Sequence, residues 1–204
     1  MFRFSVMTSE FRGPRAVVIT AVVLAVTFAM AGCGNLTRPS PQTENSTDTV
    51  TVYALNNTPA DAPAGLWLFG RTAVVLTNNF AFDLAFDLDS QGQATLYSVR
   101  YVAGGLSPAH SVGIQLYNGS YESLEKAPST GYVADTLFTA KPGDTFIIQT
   151  SDPTACSFSI YSNVIYAKVQ VLGVDQGTRT VRTRFTVDPN CGFFSLVPSG
   201  LPKD

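Results

Sequence analysis

Apolar side chains alternate with small or acidic ones from Phe80 to Asp89. The even positions carry Phe80, Phe82, Leu84, Phe86 and Leu88, and the odd positions carry Ala81, Asp83, Ala85, Asp87 and Asp89. Because successive side chains of a β-strand point to opposite faces, this pattern predicts a strand with one buried face. The glycine-containing turn Ser90–Gln93 and the β-branched and aromatic run Ala94–Val102 predict that the strand continues into a hairpin.

A symmetric turn about Gln91 and Gly92 gives this hairpin a predicted register. The facing pairs are Leu88 with Thr95, Phe86 with Tyr97, Leu84 with Val99 and Phe82 with Tyr101. The same register places Asp83 opposite Arg100 on the solvent face. We expect such an exposed ion pair to contribute only about 0 to 1 kcal/mol to stability.

A second hairpin is predicted where Val164–Val174 and Arg179–Val187 flank the turn Asp175–Thr178. The apolar face contains Ile165, Ala167, Val169 and Val171 on one strand and Val181, Thr183, Phe185 and Val187 on the other. Lys168, Arg182 and Arg184 fall on the opposite face. We interpret this face as a solvated sheet surface, with a patch for an anionic ligand as the alternative.

Six further short runs predict strands, and Gly, Pro and Asn residues separate them. They are Val50–Leu55, Leu66–Phe69, Ala73–Thr77, Val112–Tyr117, Tyr132–Phe138 and Thr145–Thr150. Only Tyr121–Ala127 has a pattern that allows a helical turn or two. Many short strands at this spacing predict a single all-β domain, an antiparallel β-sandwich, with a β-barrel as the alternative.

The N-terminus has the organisation of a secretory signal peptide. Arg3, Arg12 and Arg15 precede the apolar stretch Ala16–Met30, which ends before a polar segment. This is a charged region followed by an apolar region of signal-peptide length. A transmembrane helix is the alternative, but it needs about 20 apolar residues.

The end of this leader, Met30-Ala31-Gly32-Cys33, resembles the lipobox of bacterial lipoproteins. The resemblance covers only the leader, and Met30 stands where the family more often has Leu. It implies cleavage before Cys33 and lipidation of that thiol, so that acyl chains such as palmitate anchor the protein in a lipid bilayer. Gly34 follows the cysteine, which by the family's sorting pattern favours the outer membrane of the cell envelope. Cleavage by the ordinary secretory peptidase, with a soluble product, is the alternative.

The chain therefore divides into a signal peptide (1–32), a lipidated N-terminus with a disordered tether (33–48) and a β-sandwich domain (49–204). Loss of the leader removes three arginines and one glutamate, so the remaining 172 residues carry ten basic and fourteen acidic side chains. Such a charge balance excludes nucleic acid as an expected partner. The 16 residues from Gly34 to Thr49 are rich in Pro and hydroxyl residues, and a flexible chain of that length reaches roughly 20 to 24 Å.

Cys156 and Cys191 are the only cysteines apart from Cys33. In an exported protein, two cysteines that remain after the lipidated one are expected to form a disulfide. Two buried thiols and a metal-binding pair are the alternatives. A zinc site needs four ligands, and the single histidine, His110, has no ligand-like spacing to either cysteine. We expect no metal and no cofactor.

The candidates for catalysis are few. His110 lies in a loop, and no serine occupies a nucleophile-elbow motif. Pairs of acids for glycoside hydrolysis could be drawn from Asp83, Asp87, Glu122, Glu125 and Asp135, but fourteen acids provide such pairs by chance. Asp87–Gly92 begins like a calcium-binding loop, yet position five is Gln91 and position twelve is Ser98. The sequence predicts that the protein is not an enzyme.

Aromatic residues are the remaining candidates for binding. Tyr117, Tyr121 and Tyr132 lie near predicted loops or strand ends and could stack on a sugar, although buried rings are the simpler expectation; the chain also has one tryptophan, Trp67. Near the C-terminus we expect Cys191 to fix the end of a strand to the body of the domain, with Phe193 or Phe194 covering the core. We expect a membrane-anchored binding or structural module whose partner is an envelope protein or glycan. An envelope hydrolase and an accessory subunit of an envelope complex are the alternatives.

Overall fold

Two antiparallel five-stranded sheets make up the domain, in a computed structural model that describes residues 40–108, 110–134, 136–151 and 155–203. The first sheet has the strand order β1-β10-β9-β8-β6, and the second has the order β3-β2-β4-β5-β7. The strands are β1 Ser46–Tyr53, β2 Gly65–Trp67, β3 Thr72–Val74, β4 Leu84–Leu88, β5 Ala94–Ser98, β6 Val112–Tyr117, β7 Leu137–Ala140, β8 Thr145–Thr150, β9 Ile165–Asp175 and β10 Thr180–Asp188. The sheets do not close into a barrel, so the predicted antiparallel β-sandwich is confirmed.

Apolar side chains from both sheets fill the space between them. The fully buried residues of this core include Leu66, Leu84, Phe86, Leu96, Ile114, Phe146, Ile148, Val169 and Phe185. The β9–β10 hairpin supplies much of the first sheet's inner face, since Val169 faces Phe185 and Ala167 faces Val187. This is the apolar face predicted for the second hairpin, and its turn lies between Asp175 and Thr180 as expected.

The register predicted for the first hairpin is wrong by one residue. Leu88 faces Ala94, Phe86 faces Leu96 and Leu84 faces Ser98. The backbone N–H of Asp89 donates to Gln93 (3.0 Å), which leaves a three-residue loop, and Gly92 takes a left-handed φ of 74° there. Glycine adopts this conformation without the steric cost of a Cβ atom, and three-residue hairpins commonly use it.

The predicted strand Ala94–Val102 is divided in two. It ends at Ser98, and Val99–Ala103 form one short helix, α1. The Ser98 hydroxyl caps this helix by accepting a hydrogen bond from the Tyr101 backbone N–H (3.3 Å). Conversely, Tyr121–Ala127 forms a turn and extended chain rather than a helix, and β7 begins only at Leu137.

The first strand begins inside the segment predicted as a tether. β1 starts at Ser46, and its register with β10 runs from Ser46 opposite Val187 to Tyr53 opposite Thr180. Asn45 is buried, and its side-chain amide donates to the carbonyls of Ser195 and Val197, each at 2.9 Å. Pairing with β10 orders polar residues that composition alone assigns to a disordered chain.

A second apolar layer covers the outer face of the first sheet. Leu124, Ala127, Ile147, Tyr166 and Leu196 form it, with Tyr132 and Phe194 packed against them. Two segments are joined there, because the backbone N–H of Ala127 donates to Phe194 (2.8 Å) and that of Leu196 donates to Glu125 (2.7 Å). Among the described residues, no helix is long and apolar enough to cross a membrane.

Candidate functional site

The ends of five strands meet at one end of the sandwich, which we call the disulfide end. β1 begins there, β8 and β10 finish there, and β6 and β9 begin there. The register shows this, since Ser46 faces Val187, Tyr166 faces Asp188, and Thr150 faces both Ile165 and Val112. The opposite end, which we call the turn end, carries the turns of both hairpins, where Gln176 Nε2 donates to the carbonyl of Gln91 (3.4 Å).

Cys156 and Cys191 form the predicted disulfide, with their Cα atoms 5.8 Å apart. The residue before Cys191 holds the N-terminal segment of the domain. Asn190 Oδ1 accepts from the backbone N–H groups of Gln42 (2.8 Å) and Thr43 (3.0 Å), and its Nδ2 donates to the Thr43 carbonyl (2.7 Å). The entry of the chain into the sandwich therefore lies beside the disulfide.

A loop of exposed apolar side chains projects from the same place. We call Ala155–Ser162 the apolar loop. Phe158 is 98% exposed, Ile160 87% and Tyr161 49%. Cys156 fixes the start of this loop to Cys191, and the Gly192 N–H donates to the Val164 carbonyl just past its end (2.7 Å). The sequence analysis did not identify this loop. Its signal is the run of apolar residues Phe158, Ile160 and Tyr161 soon after the disulfide-bonded Cys156.

A cleft of about 410 Å³ also lies at the disulfide end. Its lining includes Arg100, the segment 104–108, His110, Ser111 and Ser151. The hydroxyls of Ser111 and Ser151 hydrogen-bond to each other (2.9 Å), and the Ser151 hydroxyl also accepts from the Ser111 N–H (2.9 Å). These contacts join the loop before β6 to the chain that leaves β8.

Asp83 lies behind this cleft and is fully buried, so the prediction that it faces Arg100 in solvent is wrong. Its carboxylate accepts from the Leu68 N–H (2.7 Å) and from the Thr150 hydroxyl (2.7 Å), and His110 Nε2 lies 3.5 Å away. Asp83 lies just before β4, which starts at Leu84, and the chain around Leu68 and Thr150 of β8 cover its carboxylate. The buried carboxylate thus connects the two sheets.

The His110 ring is held through one of its nitrogens, Nε2. Nε2 lies 3.0 Å from the carbonyl of Phe82, and a carbonyl oxygen only accepts, so this nitrogen carries the proton and donates. The nitrogen beside Asp83 is the same one. His110 secures its loop to the second sheet.

The other acids considered for catalysis do not gather at this cleft. Asp87 accepts hydrogen bonds from Asn56 and pairs with Arg179 (3.4 Å), at the turn end. Asp89 Oδ1 accepts from the N–H groups of Gln91 and Gln93, each at 2.8 Å, so the segment that begins like a calcium loop closes a hairpin turn instead. Glu122 and Glu125 are exposed on the outer face of the first sheet, and Asp135 lies outside the described residues.

The basic face predicted on the second hairpin is mostly covered, which corrects its interpretation as a solvated surface. Lys168 is fully buried, and its ammonium group donates to the carbonyls of Tyr121 (2.9 Å) and Leu124 (2.8 Å). Arg184 donates to Glu122 (2.7 Å), and only Arg182 of the three is exposed. The cause is the segment 121–127, which lies across this face.

Several pKa values around the segment 121–127 are shifted from their usual values. Burial lowers the pKa of Lys168 to about 8, and burial raises the pKa of Tyr121 to about 12. The hydrogen bond from Arg184 lowers the pKa of Glu122. Both cations lie over the Tyr121 ring, with Lys168 Nζ 4.4 Å and Arg184 Cζ 4.1 Å from its centroid.

The aromatic residues considered for sugar binding are largely used for packing. The Tyr121 hydroxyl bonds to Thr186 (2.6 Å), Tyr132 donates to the Pro128 carbonyl (2.8 Å), and Tyr117 bonds to Ser123 (3.2 Å). Trp67 is half-buried beside Phe69, with the ring centroids 6.4 Å apart. Phe193 is buried, and Phe194 packs on Tyr166 (4.7 Å), consistent with their expected role in covering the domain.

Within the described ranges of residues 40–203, no group of three or more His, Cys, Asp or Glu side chains is placed to hold a metal ion. The predicted lipidation site, Cys33, lies outside the described residues. Comparisons with protein-family models, with curated proteins and with solved structures found no match to this chain.

Proposed function

We propose that this protein is a bacterial envelope lipoprotein, anchored in a bilayer by acyl chains on Cys33, and that its sandwich is a non-catalytic binding or structural module. The lipobox-like end of the leader supplies the anchor. Outer-membrane placement follows from Gly34 as part of the same proposal. A protein or glycan of the envelope is the partner class.

The observation that carries the proposal is the ordered entry of the chain at the disulfide end. Gln42 and Thr43, nine and ten residues after Cys33 in the sequence, are held on Asn190. Seven residue steps separate Cys33 from Ser40, and a chain of that length spans at most about 25 Å. An anchor at Cys33 would therefore keep the disulfide end near the lipid headgroups.

The disulfide supports export. Disulfide bonds persist in oxidising compartments and are rare in the cytosol. Cys156 and Cys191 are buried or half-buried at the base of the apolar loop, where the bond ties the end of β10 to the chain between β8 and β9. Such a role is structural and fits a domain that works outside the cytoplasm.

An envelope hydrolase is the second candidate, because a cleft with two hydroxyls lies beside a histidine and a buried carboxylate. Activity of the purified protein on an envelope ester or glycan, lost in His110→Gln with the fold intact, would favour the hydrolase.

Metabolic labelling with an alkyne fatty acid tests the anchor. The wild-type protein should be labelled and should fractionate with membranes, and Cys33→Ser should be unlabelled. The double variant Cys156→Ser/Cys191→Ser is the matched control, because it removes the other two thiols and should keep the label. An unlabelled wild-type protein recovered in the soluble fraction would refute the proposal.

A further inference from the structure

We propose that the apolar loop, Ala155–Ser162, contacts the lipid bilayer and gives the anchored domain a second point of attachment. The inference rests on the proposed anchor at Cys33 and adds a site on the domain itself. Phe158 and Ile160 would enter the interface between headgroups and acyl chains, with Tyr161 at its polar side.

Exposure of the side chains is the first argument. Phe158 is 98% exposed and Ile160 87%, so neither contributes to the core of the domain. Two large apolar residues on one short loop, with the half-exposed Tyr161 beside them, are suited to the membrane interface. Aromatic rings that carry a polar group favour the headgroup region, where one end is apolar and the other is hydrated.

Position is the second argument. Phe158 follows Cys156 by two residues, Cys156 is bonded to Cys191, and Asn190 binds the N-terminal segment. The apolar loop is thus close to the place where the chain from Cys33 enters the sandwich. Since at most about 25 Å of chain joins Cys33 to Ser40, this end cannot move far from the bilayer.

Charge is the third argument. The sequence has no charged residue between Asp152 and Lys168, so contact of this loop with lipid requires no desolvation of an ionised side chain. The turn end has the opposite character, with Asp89, Asp175 and Lys141 exposed in its turns. The loop itself is therefore uncharged, and the exposed charges of the disulfide end, Arg100 and Glu44, lie outside it.

Some backbone N–H groups of the loop also have hydrogen-bond partners inside the loop. The Ser159 N–H donates to the Cys156 carbonyl (3.0 Å), and the Ser159 hydroxyl accepts from the N–H groups of Tyr161 (3.4 Å) and Ser162 (3.3 Å). The Ser162 hydroxyl accepts from Val164 (3.1 Å). Internal hydrogen bonds lower the cost of bringing a backbone turn into a poorly hydrated interface.

Tryptophan fluorescence of the lipidated full-length protein tests this contact. Phe158→Trp is reconstituted into vesicles of phosphatidylethanolamine and phosphatidylglycerol, with or without bromine atoms on the acyl chains. Gln176→Trp, at the exposed turn end, is the matched control, and Trp67 is retained in both variants as a shared background. We expect a blue shift and strong bromine quenching for the residue at 158 and neither change at 176. Addition of Ile160→Ser should weaken the quenching at 158, whereas Leu172→Ser, an exposed apolar residue of β9, should not.

The intact mass of the same preparation separates the two proposals. Unquenched emission at 158 in a protein whose mass shows acyl chains overturns the loop contact and leaves the anchor standing. Quenching at 158 in a protein without acyl chains refutes the anchor and retains the loop contact. A blue shift at 158 in native envelopes but not in the vesicles would show that a protein partner covers the loop, which also overturns the proposal.

Discussion

Two buried ionisable side chains organise the polar interactions of this sandwich. Asp83 connects β8 to the chain around Leu68 and His110, and Lys168 holds the segment 121–124 on the outer face of the first sheet. Both were expected at the surface, because each falls on the polar side of a period-two pattern. A pattern reports which side of a strand a residue occupies, but not whether another segment covers that side.

Substitution of Asp83 with Asn should destabilise the domain. The amide keeps the size of the carboxylate but has only one accepting oxygen, so the Leu68 N–H and the Thr150 hydroxyl can no longer donate to separate oxygens as they do in the wild type. A buried donor without a partner costs about 1 to 3 kcal/mol. Urea unfolding measures the change, with the exposed Asp61→Asn as the control. Equal stability of the two variants would contradict the bridging role of Asp83.

Lys168 should make stability depend on pH in a defined direction. In the folded protein its pKa is lowered to about 8 by burial, with Arg184 acting in the same direction and Glu122 and Glu125 opposing it. An unfolded lysine keeps its proton to about pH 10.4, so between these values the unfolded state binds more protons and the free energy of unfolding rises with pH. Burial raises the pKa of Tyr121 and Tyr132, so their contribution falls above about pH 10.

Urea unfolding of the wild type and of Lys168→Met at a series of pH values isolates this contribution. Between about pH 8 and 10 the wild type should gain stability and the variant should not. The fall in the free energy of unfolding above about pH 10 is due to Tyr121 and Tyr132 and should appear in both proteins. Parallel pH profiles would show that Lys168 is not held in a low-polarity environment.

At the scale of elements, sequence reasoning was most successful for strands and least successful for their surroundings. The sequence analysis predicted β6, β8 and both strands of the second hairpin, because each is an apolar or alternating run bounded by turn residues. The register of the first hairpin did not, because a three-residue loop with Gly92 in the left-handed region replaces the symmetric turn. The apolar loop was also missed, since no period identifies an irregular segment whose side chains point to solvent.

The disulfide should stabilise the disulfide end substantially. It closes a ring of about 36 residues that contains β9 and β10, and the chain-entropy model assigns about 4 kcal/mol to a ring of this size. Cys156→Ser/Cys191→Ser should therefore unfold at a clearly lower guanidinium concentration than the wild type. A reducing agent should lower the stability of the wild type and leave that of the double variant unchanged. Two free thiols in wild-type protein taken from the envelope would contradict the bond.

At the scale of the whole molecule, the two ends of the sandwich differ in chemistry. The disulfide end combines the ordered N-terminal entry, the disulfide and an exposed apolar loop, whereas the turn end carries charged turns. We infer from this arrangement that attachment to a membrane governs what the domain does. The role then depends on where the sandwich is held.

A complementation experiment tests this claim most directly. In a strain that lacks the gene, the fitness defect is measured in competition with the parent strain after expression of wild type, Cys33→Ser, His110→Gln, Asp87→Asn or Glu122→Gln. The account predicts that Cys33→Ser fails to restore fitness even at wild-type abundance, while the three variants with an altered side chain in the domain restore it fully. Rescue by Cys33→Ser, or failure of a folded and lipidated His110→Gln, would contradict the account.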